Sequence, residues 1–159
     1  MRSSNLKTIY LSLLLAFMGL LLPWSGSALQ ARPDFVLLVI IFWLIRAPHL
    51  CNVGTAWFVG LFVDLATGGV FGQYALAYTV TAYFAVNYQR RLVLFNNMQQ
   101  AFYVFLLLMI SQLTLLLLKL FGGAEIFGWQ YFIPSFTGIL LWQIAVLFGL
   151  KTGGRTRGV

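Results

Sequence analysis

The chain has 159 residues and a formal charge of +7, yet only 8% of its residues are charged and its mean hydropathy is +0.91. A soluble domain carries about a quarter charged residues, so this composition excludes a water-soluble globular protein and leaves little length for a catalytic domain beside a membrane bundle. The Lys and Arg residues flank apolar runs and form no continuous basic face, which points to orientation in a bilayer and contact with anionic lipid, not to nucleic acid.

Residues 8–31, 65–89, 92–118 and 126–150 contain no charge, and each can hold a helix of about 20 residues, enough to cross roughly 30 Å of hydrocarbon. The apolar runs are continuous and do not alternate, so their backbone groups are satisfied within helices and not in a barrel. The expected fold is all-α: a polytopic membrane protein whose six transmembrane helices lie near 7–22, 34–45, 53–66, 73–88, 99–121 and 133–150. Residues 1–150 are read as one integral membrane domain and 151–159 as a short basic cytoplasmic tail.

In the first segment, Arg2 and Lys7 precede a Leu-rich run, and Ser25-Gly26-Ser27-Ala28 offers small residues near a cleavage point. A signal peptide has this form, but no soluble periplasmic domain follows, so a retained span is expected. The second opens on Arg32-Pro33-Asp34, a helix start with Pro in the first turn and an acid at the N-terminus. An acid there also offers a contact to a partner outside. Asp34 and Arg46 enclose only residues 35–45, a length that suits a buried or re-entrant helix unless snorkelling or a thinned bilayer completes the crossing. A crossing is expected.

His49 lies in the turn Arg46-Ala47-Pro48-His49-Leu50-Cys51 and reads as a solvated interfacial group. Cys51 is the lone cysteine, so neither an intramolecular disulfide nor a multi-Cys metal site exists. The third segment places Gly60, Asp64 and Gly68 four apart on one helical face. Small residues at this spacing admit a close helix neighbour, and an intramembrane carboxylate reaches for a donor there. Asp64 has three readings: it caps the turn through Gly68, Gly69 and Gly72, it bonds a partner within the membrane, or it carries proton or substrate chemistry.

Thr79, Tyr83 and Asn87 form a polar stripe on the fourth segment, Ser111, Gln112 and Thr114 lie mid-way along the fifth, and the sixth carries Thr137, Gly138 and Gln143. The stripe is expected to face a possible polar interior and to be satisfied by Ser111, Gln112 or Thr137, leaving little room. Six crossings put both termini on one side. That side collects Arg2, Lys7, Arg46, Arg90, Arg91, Lys151, Arg155 and Arg157, against Arg32 and Lys119 on the other, so both termini are expected in the cytoplasm. No nucleophile set, paired-carboxylate site, zinc spacing or phosphate loop occurs in a usable context. No enzyme activity, metal or cofactor is expected.

The order Arg32-Pro33-Asp34-Phe35-Val36-Leu37-Leu38, then Ala47-Pro48-His49, then Val53-Gly54, Gly60, Asp64, Gly68 and Gly72 resembles the rod shape-determining MreD family of Gram-negative bacteria. The last segment departs from it: Thr137-Gly138 and Gln143 stand where similar proteins often have Asn-Gly and a later Pro. The resemblance implies a non-enzymatic subunit of the inner-membrane elongation machinery that organises lateral peptidoglycan synthesis. It implies MreC as partner, with MreB, RodA and a class B penicillin-binding protein as further partners. MreC's single span would pack in a Gly/Ala-rich groove, with Pro33, Asp34, Gly54, Gly60, Asp64, Gly68 and Gly72 as packing residues and Asp34, Asp64 and the loop near Glu125 setting register. The family's bundle is also similar to the substrate-binding subunits of energy-coupling vitamin transporters. A small-molecule binding or transport subunit is therefore the alternative.

Overall fold

The structure, a computed structural model, describes residues 2–92, 94–123, 125 and 128–153. Every regular element among them is helical: α1 (Arg2–Leu21), the single turn α2 (Ser27–Gln30), α3 (Phe35–Arg46), α4 (Val53–Thr67), α5 (Gln73–Leu92), α6 (Asn97–Phe121), a 3₁₀ turn (Trp129–Phe132) and α7 (Ile133–Gly153). The six expected segments each overlap one of the long helices. The predicted basic tail lies, from residue 154 onward, outside the described residues.

The apolar sequence of α3 has no polar face until Arg46, and a helix apolar all round belongs in a core. It sits there, packed by α1, α5 and α7, with Val36, Leu37, Ile40, Ile41 and Leu44 at 1% exposure or less. Asp34 caps its start by accepting the Leu37 N–H, and its last turn closes through the Ala47 N–H to the Trp43 carbonyl just before Pro48. Twelve residues rise only about 18 Å. Sheathed by other helices, α3 does not need to match the lipid thickness itself.

The outer surface inverts the pattern of a soluble protein. Leu14, Leu15 and Met18 on α1, Phe58 and Phe62 on α4, and Leu140 and Leu147 on α7 are each about 60% exposed. Apolar surface this extensive is stable against lipid and not against water. Two segments, Asn97–Phe121 and Trp129–Phe148, are long and apolar enough to cross a membrane.

The helix pairs meet through small residues. At Gly60 an added Cβ would lie 2.5 Å from the Ala75 Cα, so α4 and α5 touch backbone to backbone. Ala75, Ala77, Ala82 and Ala85 continue that buried face along α5, with Tyr78 and Thr81 among them. Gly138 does the same for α7: its added Cβ would lie 3.0 Å from Leu108 of α6 and 3.9 Å from Leu38 of α3. The face at Gly60, expected to receive another helix, is therefore covered from within the chain by α5.

Candidate functional site

Arg32, Pro33 and Asp34 before α3, Tyr74 at the start of α5, and Gln130, Tyr131 and Pro134 around the 3₁₀ turn gather at one end of the bundle. Asp64 organises its first part. Gly68 ends α4 in the left-handed conformation, with φ +66, and its N–H bonds the Asp64 carbonyl. The chain then turns through Gly72, φ +98, into α5. Gly72 occupies the capping position of α5 but has no side chain to cap with. Asp64 supplies the missing acceptor from the preceding helix: Oδ2 accepts the N–H groups of Gly72 at 3.0 Å and Ala75 at 3.2 Å, and Oδ1 that of Tyr74 at 2.9 Å. A carboxylate at a helix N-terminus also gains from the helix dipole. Asp64, 2% exposed, is thus a cap delivered in trans along the hairpin, and Gly60 one turn earlier lets the same Ala75 backbone approach.

Asp34 plays a parallel part. Besides capping α3, its Oδ1 accepts the hydroxyl of the fully buried Tyr78 at 2.6 Å. This ties the start of α3 to α5. Beside it, an Arg32 guanidinium nitrogen donates to the Leu20 carbonyl at the end of α1, 3.1 Å away, and Thr137 of α7 donates to the Ala31 carbonyl at 3.0 Å. The segment before α3 therefore bonds to α1, α5 and α7.

These elements enclose a cavity of about 330 Å³, lined by Leu20, Arg32, Pro33, Asp34, Tyr74, Gln112, Leu115, Lys119, Gln130, Tyr131 and Pro134. The Lys119 ammonium lies 5.1 Å from the centre of the Tyr131 ring. A second cavity at the opposite end, beside Arg46, Asn97 and Trp142, measures about 90 Å³. Small-molecule sites start at about 300 Å³, so of these two the Arg32 cavity alone reaches ligand size.

The other sequence candidates separate. Pro33 and Gln112 line the cavity. Gly54 is exposed in the first turn of α4, where an added Cβ would meet only the Asn52 side chain of the helix's own cap. The polar stripe does not face inward. Tyr83 is 58% exposed and Asn87 is exposed, while Thr79 donates to the carbonyl of Ala75 on its own helix. The reason is that Ala75, Tyr78, Ala82 and Ala85 fill the inner face, turning positions 83 and 87 outward. Nor is the interior as tight as expected, because the cavity opens at the loop end and not along the stripe. His49 is exposed. Cys51 is buried and its thiol is pushed up to about 11 by desolvation, which leaves it a poor nucleophile.

Sequence reasoning missed Tyr74, Tyr78, Lys119, Gln130 and Tyr131. A signal for Lys119 was present: the six-crossing reading groups it with Arg32 as the two basic residues of the basic-poor side, and both line the cavity.

The rod shape-determining protein MreD family model matches residues 1–151. A curated "Rod shape-determining protein MreD" of Haemophilus influenzae is 28% identical over 148 residues, covering 91% of this chain and 89% of that relative. No solved structure matches. A membrane-type helical bundle matched by the MreD family model over nearly its whole length leaves one conclusion: this chain belongs to the rod shape-determining protein MreD family.

Proposed function

We propose that the protein is a non-enzymatic, multi-pass inner-membrane subunit of the bacterial cell-elongation machinery that binds MreC and helps organise lateral peptidoglycan synthesis. The observation carrying this reading is the MreD family match across residues 1–151. Both termini lie in the cytoplasm, and the loops around Arg32, Gly68 and Glu125 face the periplasm. The charge bias supports this orientation, because Arg32 and Lys119 are outnumbered by the eight basic residues at the other ends of the spans. MreB, RodA and a class B penicillin-binding protein act as further partners. Since α5 occupies the Gly60 face, the surface left for MreC's span is an exposed apolar one, such as that of Phe58 and Phe62 on α4.

Capture of the tagged protein from native membranes tests the MreC interaction. Co-purification of MreC, weakened by bulky polar substitution at Phe58 and Phe62, is the expected result; capture without MreC refutes it. Reporter fusions are expected to place Met1 and Arg90 inside and Glu125 outside.

The cavity of about 330 Å³ favours a second reading, a small-molecule binding subunit with the six-helix plan of the energy-coupling vitamin transporters' substrate-binding components. In that case depletion impairs uptake of a nutrient, not cell shape.

A further inference from the structure

We propose that the cavity between Arg32 and Lys119 is a binding site for a phosphate-bearing anion, either the headgroup of an anionic phospholipid or a free phosphate compound. Its walls bring together two cations and several donors that the protein itself does not use. Arg32 spends one donor on the Leu20 carbonyl out of the five that a guanidinium offers. Lys119 contacts the Tyr131 ring, an interaction that leaves its three N–H groups unspent. Among the described residues, the side chains of Gln112, Gln130 and Tyr74 make no hydrogen bond within the protein. The single carboxylate of the wall, Asp34, accepts from Tyr78 and the Leu37 N–H, both through Oδ1, and Arg32 lines the cavity beside it.

Two cations against one carboxylate give a net positive chamber, to which Gln112, Gln130 and Tyr74 add neutral N–H and O–H donors. Its complement is an anion with several acceptor oxygens. Phosphate fits this description better than a carboxylate, because it offers oxygens in three directions to groups arriving from α6, the 3₁₀ turn and the segment before α3. The cavity volume exceeds that of a bare ion and accommodates the group esterified to it. Gln130, exposed at the rim, leaves the ligand an entry route. The inference rests on this cavity and not on the rod-shape role, so either can fail without the other.

The test uses the full-length protein in nanodiscs of zwitterionic lipid, with two probes: inorganic phosphate followed by equilibrium dialysis, and phosphatidylglycerol added to the discs and followed by native mass spectrometry. Lys119→Gln is expected to lower binding of the effective probe about tenfold or more, the loss of one charge-assisted contact. Arg90→Gln, an exposed cation on α5 remote from the cavity, is expected to leave it unchanged. Arg32→Gln should act like Lys119→Gln, but it also breaks the bond to Leu20. Lys119→Gln, which removes no hydrogen bond, is therefore the deciding variant, with helical content checked by circular dichroism. Retention of phosphatidylglycerol with this dependence identifies a lipid headgroup; binding of inorganic phosphate with the same dependence identifies a free anion. Binding of neither probe, or equal loss in Arg90→Gln and Lys119→Gln, overturns the proposal.

Discussion

Replacing Asp64 with Asn changes one side chain by almost nothing in size, and the structure gives it a definite cost. All three bonds to the carboxylate come from backbone N–H donors, two to Oδ2 and one to Oδ1. An Asn can place its single oxygen at the Oδ2 position and keep Gly72 and Ala75. Its NH₂ group then points at the Tyr74 N–H, donor against donor, in a site where Asp64 is 2% exposed. One charge-assisted bond is lost, worth about 1.5–3 kcal/mol, and the remaining two weaken because the acceptor is neutral. The destabilisation expected for Asp64→Asn is therefore about 2–3 kcal/mol. Asp64→Ala removes every acceptor and should cost more than Asp64→Asn, since each buried unpaired N–H costs about 1–3 kcal/mol and water reaches only part of the turn. Equilibrium unfolding in mixed micelles, followed by circular dichroism, measures both. An Asp64→Asn protein within about 0.5 kcal/mol of wild type, or an Asp64→Ala protein no less stable than Asp64→Asn, would refute the capping role. A fully stable Asp64→Asn protein that has lost function would point to proton or ligand chemistry at this residue.

Gly60→Leu forces a side chain into the Ala75 backbone, where even a Cβ would lie 2.5 Å from Cα; we expect at least the 1–3 kcal/mol of ordinary overpacking, read from the same unfolding curves or as failure to accumulate in the membrane. Tyr83→Phe and Asn87→Ala, on the exposed face of α5, should change bundle stability by less than about 0.5 kcal/mol. Ser111 Oγ and Ser135 Oγ are buried without a hydrogen-bond partner, so Ser111→Ala and Ser135→Ala should be neutral or stabilising in that assay, since each removes a desolvated polar group. Burial raises the Cys51 thiol to about 11, so at pH 7 the thiolate is about one part in ten thousand; maleimide labelling of the folded protein should be slow, rise with pH, and become rapid on unfolding.

Local chemistry was legible in the sequence. Pro33-Asp34 before an unbroken apolar run indicated a helix start, and the structure provides the cap from Asp34 to the Leu37 N–H. The run of Gly68, Gly69 and Gly72 after Asp64 indicated a turn that a carboxylate could cap, which the three N–H bonds realise. The direction of the polar stripe was not legible, because a four-residue period places Thr79, Tyr83 and Asn87 on one face without saying which face is buried. The Ala residues of α5 decided it, since only small side chains allow the backbone approach at Gly60. A tyrosine ring has an apolar body that lipid accepts, and Asn87 lies near the helix end, where head groups can serve it. The cavity was illegible for another reason. Arg32, Tyr74, Lys119 and Tyr131 are distant in sequence, and their convergence is a property of helix packing alone.

Depletion of the protein in its own host tests its role in rod-shape determination most directly, with cell outline and uptake of small nutrients measured in the same cultures. The expected result is rods that widen and become round while uptake stays normal, with shape restored by wild type and not by Gly60→Leu. Rods that persist after the protein is gone, or cells that keep their shape but lose uptake of a nutrient, would contradict it.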